Sequence, residues 1–379
     1  MTDDIDFVID EAEAADVSYI LDSLNEAQRE AVTAPPGHVL VLAGAGSGKT
    51  RVLVHRIAWL CQVEAISPFN IFAVTFTNKA AAEMRARVEK LQGMPSAGMW
   101  VGTFHGLSHR LLRSHWKEAG LTQAFQILDA DDQYRLIRRV LKALELDEAR
   151  WPPKQAQAFI NARKDEGQRP QHIDTSHNPV YTQLVRIYTA YEAACQRAGV
   201  IDFAELLLRT LELLRDNDSL LQHYQHRFKH ILVDEFQDTN TIQYALVRLL
   251  AGEGGKVFIV GDDDQAIYAW RGARVENIHR FQHDFKNAQV IRLEQNYRST
   301  TTILSAANAL IDHNSDRLGK KLWTSGEDGE QILFYNAYNE IDEARFVIDR
   351  AKHWAEQGHA RADIAILYRS NAQSRVFEE

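Results

Sequence analysis

The chain has 379 residues, 45% of them hydrophobic, and a formal net charge of −9 at pH 7. This length and apolar content suffice for two or three domains with buried cores. No apolar run approaches the roughly 20 residues that a membrane-spanning helix needs. The two cysteines, Cys61 and Cys195, lie far apart without a spacing motif, and we interpret them as reduced core residues of a cytoplasmic protein.

Most of the negative charge lies at the N-terminus. Residues 1–18 contain seven acidic side chains and no basic one. This composition predicts a solvated, disordered tail without a signal-peptide pattern, and a nucleic-acid mimic is the alternative. Because the rest of the chain is close to neutral, DNA binding would need a local groove rather than a general basic field.

The first element with a chemical signature surrounds residue 46. The apolar run 39–42 predicts a buried strand, residues 43–50 form a glycine-rich turn, and a helical pattern follows at 51–57. This order is typical of a phosphate-binding P-loop, in which backbone N–H groups and a helix N-terminus face an anion. Lys49 is predicted to reach the β- and γ-phosphates and Thr50 to hold Mg²⁺. Ala43 replaces the usual first glycine, and a chance glycine-rich turn is the alternative.

Further short apolar runs, bounded by turn or polar residues, predict buried parallel strands. They occupy residues 71–75, 99–103, 230–233, 257–260 and 290–293. Helical patterns such as 80–91 and 242–250 lie between them. Alternating strands and helices indicate a doubly wound α/β domain.

Two other regions differ from this pattern. Between residues 104 and 228 helical patterns predominate, as at 131–146, 180–198 and 203–215, which predicts a helical subdomain inserted into the α/β domain. After residue 295 a second α/β pattern begins. It consists of a predicted strand at 332–335, a helix at 340–357 and a strand at 364–368.

A pair of acids follows the predicted strand at 230–233. Ligands bind at the carboxyl ends of parallel strands, so Asp234 and Glu235 are candidates for the site that contains Lys49. Asp234 is predicted to bind Mg²⁺, and Glu235 to orient and deprotonate an attacking water. In isolation such a pair is also compatible with ordinary surface charges.

The strand at 257–260 ends in a similar way, with Gly-Asp-Asp-Asp-Gln at residues 261–265. Gln265 is a candidate for contact with both the γ-phosphate and the water. Tyr268, Trp270 and Arg271 follow, and this combination suits stacking on unpaired bases with a cation beside a phosphate. A core tryptophan with a surface arginine is the alternative.

Six segments occur in a fixed order along the chain. They are residues 44–50, 75–81, 102–105, 233–238, 261–272 and 294–299. Together they resemble the motifs of the UvrD/Rep family of superfamily 1 DNA helicases, and the resemblance extends over roughly residues 17–379. It implies an α/β fold with a RecA-like P-loop sheet. The implied domains are a first motor domain at 19–103 and 229–294, an inserted helical subdomain at 104–228, and the first part of a second RecA-like motor domain at 295–379.

The resemblance also implies roles in ATP binding. Gln28 matches the glutamine that reads the adenine edge, Tyr297 the aromatic that stacks on adenine, and Arg298 an arginine finger at the γ-phosphate. Arg51 matches a position that flanks the base. The residues expected to surround the phosphates are Gly44, Ala45, Gly46, Ser47, Gly48, Lys49 and Thr50.

On the DNA side, the resemblance implies a track for a single strand. The matching positions are Phe76, Asn78, His105, Phe203, Tyr268, Trp270 and Arg271. Each of these also has a structural alternative, and for Phe203 that alternative is ordinary helix packing.

The implied activity is that of an ATP-dependent 3′–5′ DNA translocase and helicase in repair and replication. Its implied ligands are ATP, Mg²⁺, single-stranded DNA and junctions of single- and double-stranded DNA, with repair proteins as further partners. The sequence after Arg298 lacks two family segments, Thr-x-His-x-x-Lys-Gly-Leu-Glu and Val-x-x-Thr-Arg-Ala. We therefore expect the N-terminal part of a helicase, with weak activity alone. The alternatives are an ATP- and DNA-binding module without motor activity and a small-molecule kinase.

Overall fold

The computed structural model describes residues 16–93, 96, 98–176, 178–315 and 317–379. The acidic segment predicted to be a tail lies mostly outside the described residues. Within them the chain forms eight strands. They are β1 (Val39–Ala43), β2 (Ile71–Thr75), β3 (Trp100–Thr103), β4 (Gln126–Ile127), β5 (Val200–Ile201), β6 (His230–Val233), β7 (Lys256–Gly261) and β8 (Gln289–Leu293).

Six of these strands form one parallel sheet in the order β3-β2-β6-β7-β1-β8. All six predicted strands of the first α/β region are confirmed, with bounds that differ by one residue at most. Side chains alternate between the two faces, so Leu40 and Leu42 join one hydrophobic core while Val39 and Val41 join another. The sheet is therefore buried on both faces, and its strand ends remain as the accessible edge.

The described residues also form fourteen α-helices. They are α1 (Glu26–Thr33), α2 (Lys49–Gln62), α3 (Asn78–Gln92), α4 (Phe104–Ser114), α5 (Ala130–Ala143), α6 (Pro153–Asp165), α7 (Pro179–Ala198), α8 (Phe203–Arg215), α9 (Asp218–Arg227), α10 (Thr241–Ala251), α11 (Glu276–Asp284), α12 (Thr301–Ile311), α13 (Glu340–Glu356) and α14 (Ser374–Glu378). Several begin at a capping side chain, as α3 does where Thr77 accepts a hydrogen bond from the Ala80 N–H. No helix in the described part of the chain is long and apolar enough to cross a membrane.

Helices dominate the region predicted to be an inserted subdomain. It has a third core, in which Ile137 of α5 and Ile160 of α6 pack near Tyr188 and Tyr191 of α7. The prediction overlooked the strands β4 and β5, which pair in parallel over two residues each. Such short strands carry no periodic signal that could identify them.

The second α/β pattern is only partly correct. The predicted helix exists as α13, but the predicted strands at 332–335 and 364–368 are wrong, because both segments are irregular. Most of their apolar side chains are exposed, with Phe334 88% and Leu367 92% accessible, while Ile364 and Ile366 are half-buried. A strand exists only through hydrogen bonds to a neighbour, and within the described residues neither segment pairs with one.

Candidate nucleotide site and strand-binding cavity

The turn between β1 and α2 has the geometry of an anion-binding loop. Gly46 and Gly48 have left-handed backbones, with φ of +68° and +91°. A Cβ atom at Gly46 would lie 2.6 Å from Asn296 Nδ2 and 2.8 Å from Arg298 Cβ. Glycine is therefore required here both for its φ angle and for the close approach of the segment that contains Arg298.

Lys49 begins α2 and is buried beneath this loop. Its Nζ atom lies 3.2 Å from Glu235 Oε2 and 3.9 Å from Asp262 Oδ2. Within the described residues this Nζ makes no hydrogen bond. A buried ammonium with unused donors is costly, so the site fits an additional anionic acceptor such as a phosphate.

The acids after β6 lie directly beside Lys49. Asp234 is buried, and its Oδ2 accepts a hydrogen bond of 3.3 Å from Thr50 Oγ1. Burial, and next the charge of Glu235, raise the pKa of Asp234 to about 7. Thr50 and Asp234 together supply the oxygen atoms that suit Mg²⁺.

Glu235 has an unusual backbone conformation. Its φ of +48° lies in the left-handed region, which residues other than glycine rarely adopt. Its Oε2 atom accepts a hydrogen bond of 2.8 Å from Gln237 Nε2 and contacts Lys49. The strained turn directs the carboxylate toward the P-loop rather than along the strand.

Gln265 is in the short turn that follows β7. Its side-chain amide donates to the carboxylate of Asp262, a residue that is itself buried. The other Asp262 oxygen, Oδ1, lies 2.7 Å from the Nζ atom of Lys320. Gln265 is therefore connected to Lys49 on one side and to Lys320 on the other through a single carboxylate.

The segment from Gln295 to Arg298 packs against the P-loop. The Tyr297 N–H donates to the Gly46 carbonyl at 3.0 Å, and Asn296 Nδ2 donates to the Ala45 carbonyl at 2.6 Å. The Tyr297 side chain is exposed and its hydroxyl accepts a hydrogen bond of 2.7 Å from Asn25 Nδ2. Arg298 is exposed beside the loop.

Gln28 lies beside the P-loop, where its side chain bonds to protein groups. Its Oε1 accepts from the Asn25 N–H at 3.1 Å, which caps α1, and its Nε2 donates to the Ser47 carbonyl at 2.8 Å. Both ends of the amide are thus engaged with protein, and its contact with adenine stays a prediction. Arg51 lies in the first turn of α2 next to the loop.

The predicted strand-binding side chains gather at a cavity of about 480 Å³ between the sheet and the helical region. Phe76, His105, Phe203 and Tyr268 line it. Phe203 is 52% exposed at the first position of α8, and its ring centroid lies 6.0 Å from that of His105. Burial lowers the pKa of His105, because it disfavours the charged imidazolium.

The other three predicted strand-binding residues, Asn78, Trp270 and Arg271, are not among the residues that line this cavity. Trp270 is 73% exposed, with its ring centroid 6.3 Å from that of Tyr268. This exposure rules out the alternative of a core tryptophan. Asn78 is exposed at the start of α3, and Arg271 ends the 3₁₀ turn Ala269–Arg271.

Two family models of known proteins match most of the chain. Residues 24–286 match the family model of the UvrD/REP helicase N-terminal domain, and residues 291–379 match that of the UvrD-like helicase C-terminal domain. The chain belongs to the UvrD/Rep helicase family.

Relatives within this family are similar over nearly the entire chain. It is 66% identical to DNA helicase II of Escherichia coli (strain K12) over 96% of its own length and 51% of that protein. It is 67% identical to DNA helicase II of Salmonella typhimurium over the same shares. ATP-dependent DNA helicase PcrA of Staphylococcus epidermidis is 44% identical over 96% of this chain and 50% of its own length. The chain thus spans about half the length of these curated relatives.

Some residues of this UvrD/Rep chain were missed by sequence reasoning. Polar side chains from three helices and a loop also line the cavity beside His105 and Phe203: Gln133, Asn161, Asp165, Asn240 and Gln243. Asn240 Nδ2 donates to Asp165 Oδ1 at 3.1 Å, and burial, followed by the charge of Asp202, raises the pKa of Asp165 to about 6. These residues are scattered along the sequence and share no motif. Sequence reasoning also missed Lys320, which contacts Asp262 but lies far from it in the sequence.

Proposed function

We propose that this chain binds ATP with Mg²⁺ at the P-loop, binds single-stranded DNA at the cavity and its rim, and couples ATP hydrolysis to movement along the strand. Family membership and the names of the relatives, DNA helicase II and ATP-dependent DNA helicase PcrA, support the proposal. The observation that carries it is the convergence of Lys49, Thr50, Asp234, Glu235 and Gln265 at the ends of β1, β6 and β7.

The proposed chemistry assigns one task to each side chain. Lys49 binds the β- and γ-phosphates, for which its unused donors are available. Thr50 and Asp234 hold Mg²⁺, which when bound neutralises phosphate charge. Glu235 orients a water and accepts its proton, and Arg298 stabilises charge that develops on the γ-phosphate.

The strand-binding side chains support a sequence-tolerant contact. Aromatic rings stack on any base because every base has a π-face. Phe203 and Trp270 are exposed and therefore accessible to bases, while His105 and Tyr268 lie beside them. We propose movement from 3′ to 5′, action at junctions of single- and double-stranded DNA, and repair proteins as partners. A cytoplasmic location is part of the proposal, and the two unpaired cysteines support it.

The deciding experiment measures ATP hydrolysis with and without single-stranded oligonucleotides. Strong stimulation by DNA supports the motor. Binding of both ligands without turnover supports a module that holds ATP and DNA but performs no work, and hydrolysis indifferent to DNA supports an unrelated P-loop enzyme.

The strand contact is tested separately by Trp270→Ala. We expect single-strand binding to weaken by ~1–3 kcal/mol without a change in melting temperature, because the ring is exposed. Trp354→Ala is the matched control, since Trp354 is also partly exposed but stacks on His359 away from the cavity. Unchanged DNA affinity with a lower melting temperature would assign Trp270 a structural role.

A further inference from the structure

Three consecutive aspartates follow β7, and their carboxylates pair with basic side chains that are distant in sequence. Oxygen atoms of Asp262, Asp263 and Asp264 lie within 4.8 Å of one another. Lys320 Nζ lies 2.7 Å from Asp262 Oδ1, 2.6 Å from Asp263 Oδ1 and 2.8 Å from Asp264 Oδ2. In addition, Arg317 Nε lies 2.8 Å from Asp264 Oδ1. A single lysine thus contacts every acid of the cluster.

This contact is buried and organised by the backbone. The side chains of Lys320, Asp262 and Asp263 are only 3%, 2% and 4% exposed. The Leu318 N–H donates to Asp263 Oδ2 at 2.8 Å, and Arg317 Nη2 donates to the Lys320 carbonyl at 2.8 Å. Buried charges persist when they are paired and hydrogen-bonded, and residues 317–320 meet that requirement together.

Asp262 connects this cluster to the nucleotide site. One of its oxygens binds Lys320, and the other accepts the Gln265 amide and lies 3.9 Å from Lys49 Nζ. The Asp262 N–H donates to Gln237 Oε1 at 2.9 Å, and Gln237 Nε2 in turn donates to Glu235. The carboxylate of Asp262 therefore orients Gln265, the candidate for contact with the γ-phosphate and the water, and Gln237 connects the Asp262 N–H to Glu235.

We propose that Lys320 is a positioning residue for ATP hydrolysis, which acts through Asp262 to hold Gln265 in the orientation that contacts the γ-phosphate. The proposal rests on the proposed ATPase function. It also gives residues 317–320, which follow Arg298 in the sequence, a direct physical connection to the first sheet. The polar partners of a site's primary side chains fix their geometry, and small displacements there reduce rates strongly.

The test compares Lys320→Met with Lys321→Met, because Lys321 is an exposed neighbour without an ion pair to the cluster. Hydrolysis is measured with saturating single-stranded DNA, alongside ATP binding and thermal melting. We expect Lys320→Met to lower kcat about tenfold or more while KM for ATP changes less than about twofold. Lys321→Met should match the wild type, and Lys320→Arg should recover most of the lost kcat.

A second variant separates positioning from charge balance. The double variant Lys320→Met, Asp263→Asn restores the charge of the cluster but still leaves Asp262 without its lysine. We expect its kcat to remain as low as that of Lys320→Met. Recovery of wild-type kcat in this variant overturns the positioning role, and so does a Lys320→Met protein with unchanged kcat.

The outcome also distinguishes this proposal from the proposed function. A wild-type chain that binds ATP and DNA but hydrolyses nothing overturns the motor and the positioning role together. An active wild type with an equally active Lys320→Met overturns the positioning role alone.

Discussion

Two of the buried lysines, Lys164 and Lys49, both lie among carboxylates but differ in whether their hydrogen bonds are made. In the helical region, Lys164 Nζ lies 2.8 Å from Asp202 Oδ2 and 2.9 Å from Glu205 Oε2, and Tyr191 also donates to Asp202. Arg169 completes this network by pairing with Glu205 and two further glutamates. At the P-loop, Lys49 has a carboxylate nearby but no hydrogen bond within the described residues.

One buried acid from each cluster shows the contrast in the direction of its pKa shift. Burial opposes the charge of Glu205, but Lys164 and Arg169 outweigh it and hold the pKa of Glu205 well below its usual range. Burial of Asp234, with the nearby charge of Glu235, instead raises the pKa of Asp234 to about 7. A network whose partners are complete stabilises packing, whereas an incomplete one retains capacity for a ligand.

The largest expected effect is on the rate of ATP hydrolysis and comes from the incomplete cluster of Lys49, Asp234 and Glu235. Glu235→Gln should lower kcat for ATP about 10²–10⁴-fold and leave ATP affinity intact, because the amide cannot accept the proton of water. Steady-state hydrolysis and equilibrium ATP binding measure the two quantities. Glu253→Gln, at an exposed position after α10, is the control. Unchanged turnover would assign the base to another residue.

Removing the lysine of the complete cluster, Lys164, should change the free energy of unfolding. Lys164→Met should lower the free energy of unfolding by about 3–5 kcal/mol, because it leaves Asp202 and Glu205 buried without that cation. Denaturant unfolding measures the change, with the exposed Lys154→Met as control. A loss below about 1 kcal/mol would contradict the contrast between the clusters.

Lys49→Ala tests the same contrast from the other side. We expect ATP binding to weaken by at least about 1.5–3 kcal/mol, since a charged hydrogen-bond donor to phosphate is lost. Its effect on unfolding should be smaller than that of Lys164→Met, because Lys49 makes no hydrogen bond within the described residues. Calorimetric titration and unfolding curves measure both, with exposed Lys90→Ala as control. Retained tight ATP binding would refute the phosphate role.

The smallest effect concerns Asp165, which lies between the complete cluster and the strand cavity. Its pKa is raised to about 6, so the side chain becomes neutral as the pH falls below that value. Repulsion of a DNA phosphate then decreases, and we expect single-strand affinity to rise about two- to threefold between pH 7 and pH 5. Fluorescence anisotropy at constant ionic strength measures it.

Asp165→Asn is the matched variant for this pH dependence, because it keeps the contact with Asn240 but does not titrate. Its affinity should lack the additional rise at low pH. An identical pH profile in the variant and the wild type would remove Asp165 from the strand-binding surface.

The sequence was sufficient to predict those elements whose pattern lies within a short run of residues. The six sheet strands and the turn around Lys49 follow from short runs of residues, and the structure brings their predicted site residues together. The predicted strands at 332–335 and 364–368 failed because pairing depends on a neighbour that no local pattern reveals. The contact between Lys320 and Asp262 was missed for a similar reason, since it joins residues far apart in sequence.

The left-handed backbone of Glu235 implies a trade-off between thermal stability and activity. Glutamate in that conformation costs on the order of 1–2 kcal/mol. Asparagine tolerates it more readily, so Glu235→Asn should relax the turn while removing the carboxylate that would accept the proton of water. Selection for heat resistance alone would therefore favour a residue here that lacks the proposed general base.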